Sequence, residues 1–228
     1  MDGQPLVSCI MPTYDRRPFV AWAIRYFLNQ GYASRELVIV DDGSDCVADV
    51  VPADPRIRYF RLSGRRTIGD KRNFACEQSN GELIVHWDDD DWSAPWRLTY
   101  QVEAFMSQDV DVSGLRALFF CDPAAGRAWR YEYPSRRRAW VAGGTFCYRR
   151  RLWEQAPFED TSFAEDNNYL WNGSAKRVGV LEDSSFYVAR VHAGNTCRKN
   201  VGDAWWHPRS VDEIAAVVGS DWAAWAEG

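Results

Sequence analysis

Gly81-Glu82-Leu83-Ile84-Val85-His86-Trp87 runs directly into Asp88-Asp89-Asp90-Asp91 and then Trp92. A short apolar run that follows a glycine reads as a buried strand, so the four carboxylates are delivered at its end. Adjacent carboxylates in a partly desolvated cleft repel one another and take up protons unless a divalent metal or a basic ligand compensates them. A solvated acidic turn is the plain alternative. The hydrophobic residues on both flanks favour a site.

Upstream, Leu6-Val7-Ser8-Cys9-Ile10-Met11 reads as a first buried strand ending at Pro12-Thr13. Pro18 followed by Val20, Ala23, Ile24, Phe27 and Leu28, then Gly31, has the spacing of an amphipathic helix with a stop. Glu36-Leu37-Val38-Ile39-Val40 is a second buried strand, and it also ends in acid, at Asp41-Asp42-Gly43-Ser44. A third strand over 57–62, a helix over 69–80 and the strand before Asp88 continue the alternation. Both acidic clusters therefore fall beyond the carboxyl ends of strands in an open α/β sheet, where ligands bind.

Downstream, Pro95 with Leu98, Val102, Phe105 and Met106 predicts a further packing helix. The second half is less regular, with strands expected over 115–121, 127–133 and 146–149 and a short helix around Leu152. Ser210-Val211-Asp212-Glu213 is a capping-box pattern opening a helix through Val218.

The 228 residues, 46% of them hydrophobic, suffice for one globular domain, and a net charge of −5 argues against wholesale nucleic-acid binding. Arg127, Arg130 and the arginines at 136–138 form a local basic stretch that could meet an anionic partner or be solvated surface. The start lacks a basic leader region and the apolar run over 6–11 is too short to span a bilayer, which predicts no membrane span and a cytoplasmic protein. The six cysteines have no paired spacing and read as reduced packing residues. Among twelve tryptophans, Trp22, Trp96, Trp153 and Trp171 read as core, whereas Trp92, Trp205 and Trp206 are candidates to line an acceptor site.

Ile10-Met11-Pro12-Thr13-Tyr14, Val40-Asp41-Asp42-Gly43-Ser44, Gly69-Asp70-Lys71-Arg72-Asn73, Gly81-Glu82-Leu83-Ile84 and the aspartates at 88–91 occur in an order and spacing that resembles family 2 glycosyltransferases. The resemblance covers roughly residues 6–100 and continues more thinly through Gly143-Gly144-Thr145, Glu165-Asp166 and Arg190-Val191-His192. It implies a single α/β domain of the Rossmann-like GT-A fold, with a mixed, mostly parallel sheet flanked by helices. Residues 1–100 would bind the nucleotide sugar, 101–200 would carry acceptor binding and catalysis, and 201–228 would be a helical C-terminal segment.

The resemblance also implies roles. Thr13, Asp41, Asp42, Arg72, Asp88 and Asp89 would contact the nucleotide, UDP most readily, and Asp90 and His192 would ligate Mn2+ or Mg2+ through the D-x-D motif, whose register the fourth aspartate blurs. Mg2+-like ions take few protein ligands and fill their octahedron with phosphate and water. Asp166 of the Glu165-Asp166 pair would be the base of an inverting transfer, although such a pair before an apolar run is also an ordinary helix N-terminus. Gly143, Gly144, Trp92 and Glu165 would border the donor sugar and acceptor, and the acceptor could be a glycan, a lipid-linked sugar, a small molecule, a peptide or modified DNA. The rival readings are a two-metal phosphodiesterase or nuclease, a nucleotidyltransferase that forms sugar nucleotides, and a non-catalytic carbohydrate-binding module. The nucleotidyltransferase would carry a glycine-rich loop where this chain has Pro12-Thr13-Tyr14-Asp15-Arg16-Arg17.

Overall fold

The computed structural model describes residues 3–197 and 199–227. Met1, Asp2, Arg198 and Gly228 lie outside the described residues, so the reading of the first two residues rests on sequence alone. The strands β1 (Val7–Thr13), β2 (Arg35–Asp41), β3 (Ile57–Arg61) and β4 (Leu83–His86) pair in parallel in the order β4-β1-β2-β3. Every residue of β2 and β4 is buried, as expected of parallel strands covered on both faces. Helix α1 (Arg17–Leu28) carries Pro18 in its first turn and buries Val20, Ala23, Ile24, Tyr26 and Phe27. Helix α2 (Ile68–Gln78) opens on Thr67, whose hydroxyl accepts the Asp70 N–H at 3.0 Å. The register sets Thr13 opposite Asp41 and Ile10 opposite His86, so the acidic segments emerge on one edge.

The rest of the chain adds β5 (Trp92–Ser93), α3 (Arg97–Ser107), β6 (Val112–Leu115), β7 (Ala117–Asp122), β8 (Arg127–Glu132), β9 (Cys147–Arg149), α4 (Arg150–Gln155), α5 (Glu165–Asn172), β10 (Val178–Leu181), β11 (Tyr187–Arg190), β12 (Trp206–Arg209), α6 (Val211–Val218) and α7 (Trp222–Glu227). The first sheet reads β10-β6-β9-β4-β1-β2-β3, with β9 antiparallel to both of its neighbours. A second sheet, β12-β8-β7-β11-β5, is antiparallel except for β7 with β11.

The strand expected over 115–121 is two strands in different sheets. Leu115 donates its N–H to Thr145 Oγ1 at 2.9 Å and its carbonyl accepts the Ala142 N–H at 2.8 Å. With those groups taken by the 142–145 segment, β6 ends, and the chain crosses at Arg116 to join the second sheet. The C-terminal segment is also not purely helical, because β12 pairs with β8 before the Ser210 hydroxyl caps α6 by accepting the Glu213 N–H at 3.1 Å. Trp153 is buried as expected, but Trp96 is 39% exposed, lying against Tyr100 and Phe186 only by edges, and Trp22 and Trp171 are half-buried. Four of the free cysteines are buried in packing roles, whereas Cys46 is exposed. No described helix is long and apolar enough to cross a membrane.

Arg97 fastens the strand end that bears the acidic run. It is 1% exposed and donates to the His86 carbonyl at 2.7 Å, the Gly144 carbonyl at 2.9 Å, Ser93 Oγ at 2.9 Å and Gln101 Oε1 at 2.8 Å. Buried acceptors stripped of their donor keep the desolvation cost without the bond. Replacing Arg97 with methionine should therefore lower unfolding stability by about 2–4 kcal/mol. Urea denaturation followed by circular dichroism measures this, and an unchanged midpoint would remove Arg97 from that role.

Candidate active site

A cleft of ≈ 890 Å³ opens along the shared edge of the two sheets. Thr13, Arg72, Asp88, Asp89, Asp90, Gly143, Gly144, Glu165 and Asp166 all line it, so most of the site expected from sequence converges.

The four aspartates are not equivalent. Asp91 is structural: Oδ1 accepts the Arg190 N–H at 2.7 Å and Oδ2 accepts the Tyr187 hydroxyl, tying the acidic run to β11. Burial, with the Asp90 and Asp88 charges, pushes its carboxyl well above the usual range. Asp89 is pushed up to about 7 by burial and by the neighbouring Asp90 charge. Asp90 goes the other way: burial raises it, but hydrogen bonding to His192 and the Arg16 charge more than offset burial and hold it low. Asp88 is the most open of the run, its side chain 28% exposed with the Arg72 guanidinium 3.6 Å away.

Asp90 Oδ2 sits 2.6 Å from Arg16 Nη1, 2.9 Å from His192 Nε2 and 3.3 Å from Asn195 Nδ2. Arg16 Nη1 is also 2.9 Å from His192 Nε2, and its second amino group donates to the Gly194 carbonyl. The Gly194 N–H donates to His192 Nδ1 at 3.2 Å, which holds the ring with Nε2 turned toward Asp90. Asp90 Oδ2 and His192 Nε2 stand side by side at 2.9 Å, a carboxylate and an imidazole of the kind that Mn2+ or Mg2+ sites draw on. Among the described residues no three His, Cys, Asp or Glu side chains converge as a metal cluster. The donor set thus fits an ion that takes one or two protein ligands, and does not fit a four-ligand zinc site.

Four expected residues do not line the cleft: His192 stands behind Asp90, Asp42 lies beneath, and Asp41 and Trp92 lie elsewhere. Asp41 is fully buried and does not line the cleft, because its carboxylate is saturated by the Gly43 N–H at 2.8 Å, the Val47 N–H at 3.2 Å, the Tyr59 hydroxyl at 2.7 Å and Arg61 at 2.9 Å. Trp92 is 3% exposed and its indole donates to Asp221 Oδ2 at 3.2 Å, so it packs in the core beside the C-terminal helices and not on the cleft. Asp42 supports the cleft from beneath. Its Oδ1 accepts Lys71 Nζ at 2.7 Å and its Oδ2 accepts the Arg66 N–H, while Lys71 also donates to the Thr13 carbonyl at 2.9 Å. The Thr13 hydroxyl is buried at the cleft with no partner among the described residues.

On the opposite wall, Glu165 and Asp166 form the first turn of α5, where the helix dipole favours carboxylates. Glu165 accepts Arg72 Nη1, while burial, opposed by Arg72, raises its carboxyl. Asp166 is half-buried, and its carboxylate rests against Gly143 so closely that a Cβ there would overlap it. A Cβ at Gly144 would likewise overlap the Asp88 carboxylate and the Tyr187 hydroxyl. The Gly-Gly step thus lets both acids approach one stretch of backbone. Asp15 at φ 52° and Ala164 at φ 55°, the two non-glycine residues with positive φ among those described, both line the same cleft.

Sequence reasoning missed Arg16, Arg65 and Arg66, Asn195 and Trp140, whereas Trp205 and Trp206, which it singled out, line the cleft. The dipeptide Arg16-Arg17 directly after the first strand end was a signal for one of them; Trp140 carried none.

The profile of the family described as "Glycosyl transferase family 2" matches residues 8–164. The succinoglycan biosynthesis protein ExoO of Rhizobium meliloti is 33% identical over 97% of this chain and 68% of its own length. An uncharacterized glycosyltransferase of Haemophilus influenzae is 32% identical over 53% of this chain, and the putative colanic acid transferase WcaA of Escherichia coli is 38% identical over 43%. This chain spans 50% and 37% of those two proteins. Among solved structures, TarS residues 1–349 of S. aureus in complex with UDP-GlcNAc has a TM-score of 0.67 at 19% identity, covering 93% of this chain and 64% of that one. The mannosyltransferase PcManGT of Pyrobaculum calidifontis in complex with GDP-Man and Mn2+ has a TM-score of 0.60 at 19% identity, covering 83% and 57%. The fold is that of these GT-A glycosyltransferases, and the chain belongs to glycosyl transferase family 2.

Proposed function

We propose that this chain transfers a sugar, with inversion, from a nucleoside diphosphate sugar to an acceptor hydroxyl, and that the donor is a UDP-sugar. The observation that carries the reading is the meeting of Asp166 and Asp88 across Gly143-Gly144, which puts a candidate base and the acidic run against the same backbone. Neighbours in complex with UDP-GlcNAc and with GDP-Man support a nucleotide-sugar donor.

Thr13, with its unpartnered hydroxyl, would meet the nucleoside, while Asp42, whose carboxylate is taken by Lys71 and the Arg66 N–H, would act from beneath by holding those two, and Asp88 and Asp89 would meet the ribose. Arg65, Arg66 and Lys71 line the same end and would offset the diphosphate charge, with Arg72 held next to Asp88. Asp90, with His192, would hold a Mn2+ or Mg2+ ion, whose chemistry is to neutralise the leaving diphosphate. Asp166 would take the proton from the acceptor hydroxyl as it attacks. A two-metal phosphodiesterase is disfavoured, because the described residues offer no cluster of three or more carboxylates and imidazoles.

Asp166→Asn should lower kcat by about 10²–10⁴-fold with donor affinity unchanged, since general-base catalysis contributes on that order. Steady-state release of UDP from UDP-sugar checks it, and near-native turnover would remove Asp166 from the role. Gly143→Ala should cost at least about 10²-fold in kcat, because displacing a reacting group by an ångström has that effect; unchanged activity with an intact circular dichroism spectrum would contradict the placement. In native protein UDP should raise the melting temperature more with Mn2+ than without it, and Asp90→Ala should erase that difference, because a ligand that binds the folded state stabilises it.

A further inference from the structure

Helix α2 opens at the end of the cleft where Arg65, Arg66 and Lys71 gather, and the first N–H groups of a helix placed there are an ordinary seat for phosphate. In this chain they are already taken. The Ile68 N–H donates to Ser162 Oγ at 3.2 Å, the Gly69 N–H to the Thr161 carbonyl at 3.0 Å, the Asp70 N–H to Thr67 Oγ1 at 3.0 Å and the Lys71 N–H to the Thr67 carbonyl at 3.1 Å. Two of these acceptors belong to the segment that leads into α5.

That segment is fitted to α2 by further contacts. Thr67 Oγ1, besides capping the helix, donates to Asp160 Oδ1 at 2.6 Å. Asn73 holds both backbone groups of Phe158: its Nδ2 donates to the carbonyl and its Oδ1 accepts the N–H, each at 2.9 Å. Gly69 is buried, and a Cβ there would overlap the Glu159 carbonyl oxygen, so the two backbones lie directly against each other. On its other side the segment holds α5. Phe158 stacks on Tyr169 with centroids 4.1 Å apart and planes 19° from parallel, and Asn168 Nδ2 donates to Glu159 Oε2 at 2.7 Å.

The start of α5 needs this support. Ala164 at its N-cap has φ 55° and supplies no side-chain cap, and a non-glycine residue in that region persists only where its surroundings over-determine it. Asp166 follows two positions later. Helix α2 is the firm partner, with Ala75 and Cys76 buried among Ile10, Val38 and Val40 of β1 and β2. We propose, resting on the transfer reading above, that the first turn of α2 is the template that sets residues 158–164, with Thr67 and Gly69 as positioning residues for Asp166. The positive end of the helix is thereby given over to placing the base, and the donor diphosphate is left to side chains.

Amide hydrogen exchange tests the placement without turnover. Asp160 is exposed, so Asp160→Ala removes the tie to Thr67 and leaves the α2 cap whole; exchange at Ile68, Gly69 and Asn168 should quicken by about 10-fold or more, with the parallel strands unchanged. For turnover, UDP-glucose, UDP-galactose, UDP-GlcNAc and GDP-mannose are offered with Mn2+, and nucleotide release is followed with the probe that the native chain cleaves. Gly69→Ala should lower kcat by about 10²-fold and Asp160→Ala by about 3–10-fold, with donor KM and the Mn2+-dependent UDP melting shift within about twofold of native, because a reacting group displaced by an ångström loses rate and not donor affinity. Thr67→Val should follow Asp160→Ala, and Thr67→Ser, which keeps the hydroxyl, should recover. Native exchange in Asp160→Ala, native kcat in Gly69→Ala, or equal losses of kcat and donor affinity overturn the proposal. Release from none of the four probes by the native chain, or near-native turnover of Asp166→Asn, would instead sink the transfer reading, and the exchange result tells the two failures apart.

Discussion

Consecutive carboxylates at the end of β4 place more negative charge in one partly desolvated spot than water can relieve, and the surrounding residues answer that constraint. Arg16 pairs with Asp90, Arg72 stands beside Asp88, and Arg97 fastens the carbonyl of His86 just upstream. The compensation is incomplete, because Asp89 is pushed up to about 7 by burial and the Asp90 charge. A carboxyl whose folded pKa lies above its unfolded value contributes stability at low pH that is lost as pH rises, here between about 4 and 7. At neutral pH, therefore, Asp89 works against folding, whereas Asp90, held low, contributes stability. The same electrostatics suit the site to a positively charged ligand.

The two sheets divide the cleft by chemistry. The parallel strands β1, β2 and β4 deliver oxygen and nitrogen ligands to one end, because their carboxyl termini open on a common edge. The antiparallel sheet delivers aromatic side chains to the other, because Phe120, Tyr131 and Trp206 lie on three strands adjacent in its order. Between them stands Gly143-Gly144, which lacks the side chains that would keep Asp166 and Asp88 apart. The Arg116 crossing, where β6 ends and β7 begins, makes one continuous chain serve both halves.

The parallel half was legible because its signals are local. Buried runs ending in Thr13, Asp41 and Asp88, and a helix opening after Thr67, need only neighbouring residues to be recognised, and the family resemblance rested on the same segments. Of the second sheet only β7 and β8 were legible, because β11 and β12 are four residues each and pair with partners far away in the chain. Asp41 was misplaced for a related reason: adjacent aspartates look alike in sequence, and only the turn geometry shows that one is consumed by Gly43, Val47 and Tyr59. Trp92 was misplaced because proximity to the acidic run does not set the face a strand residue presents.

Arg72 links the acidic groups on the two walls of the cleft. It is buried, donates to Glu165 on α5 and stands 3.6 Å from Asp88 beyond β4. Glu165 and Asp166 are consecutive in the first turn of α5, so whatever fixes the first restrains the second. A buried ion pair is weak evidence for net stability, since desolvation offsets much of the attraction. Its value here lies in registration: the planar guanidinium presents several donors in fixed directions and can meet a carboxylate on each side. A lysine in its place would bring one compact charge and could satisfy Glu165 or Asp88, not both, leaving α5 free to carry Asp166 away from Gly143. The position of Asp166 is therefore set by the residue that also steadies the acidic run, and the two walls of the cleft are geometrically one unit.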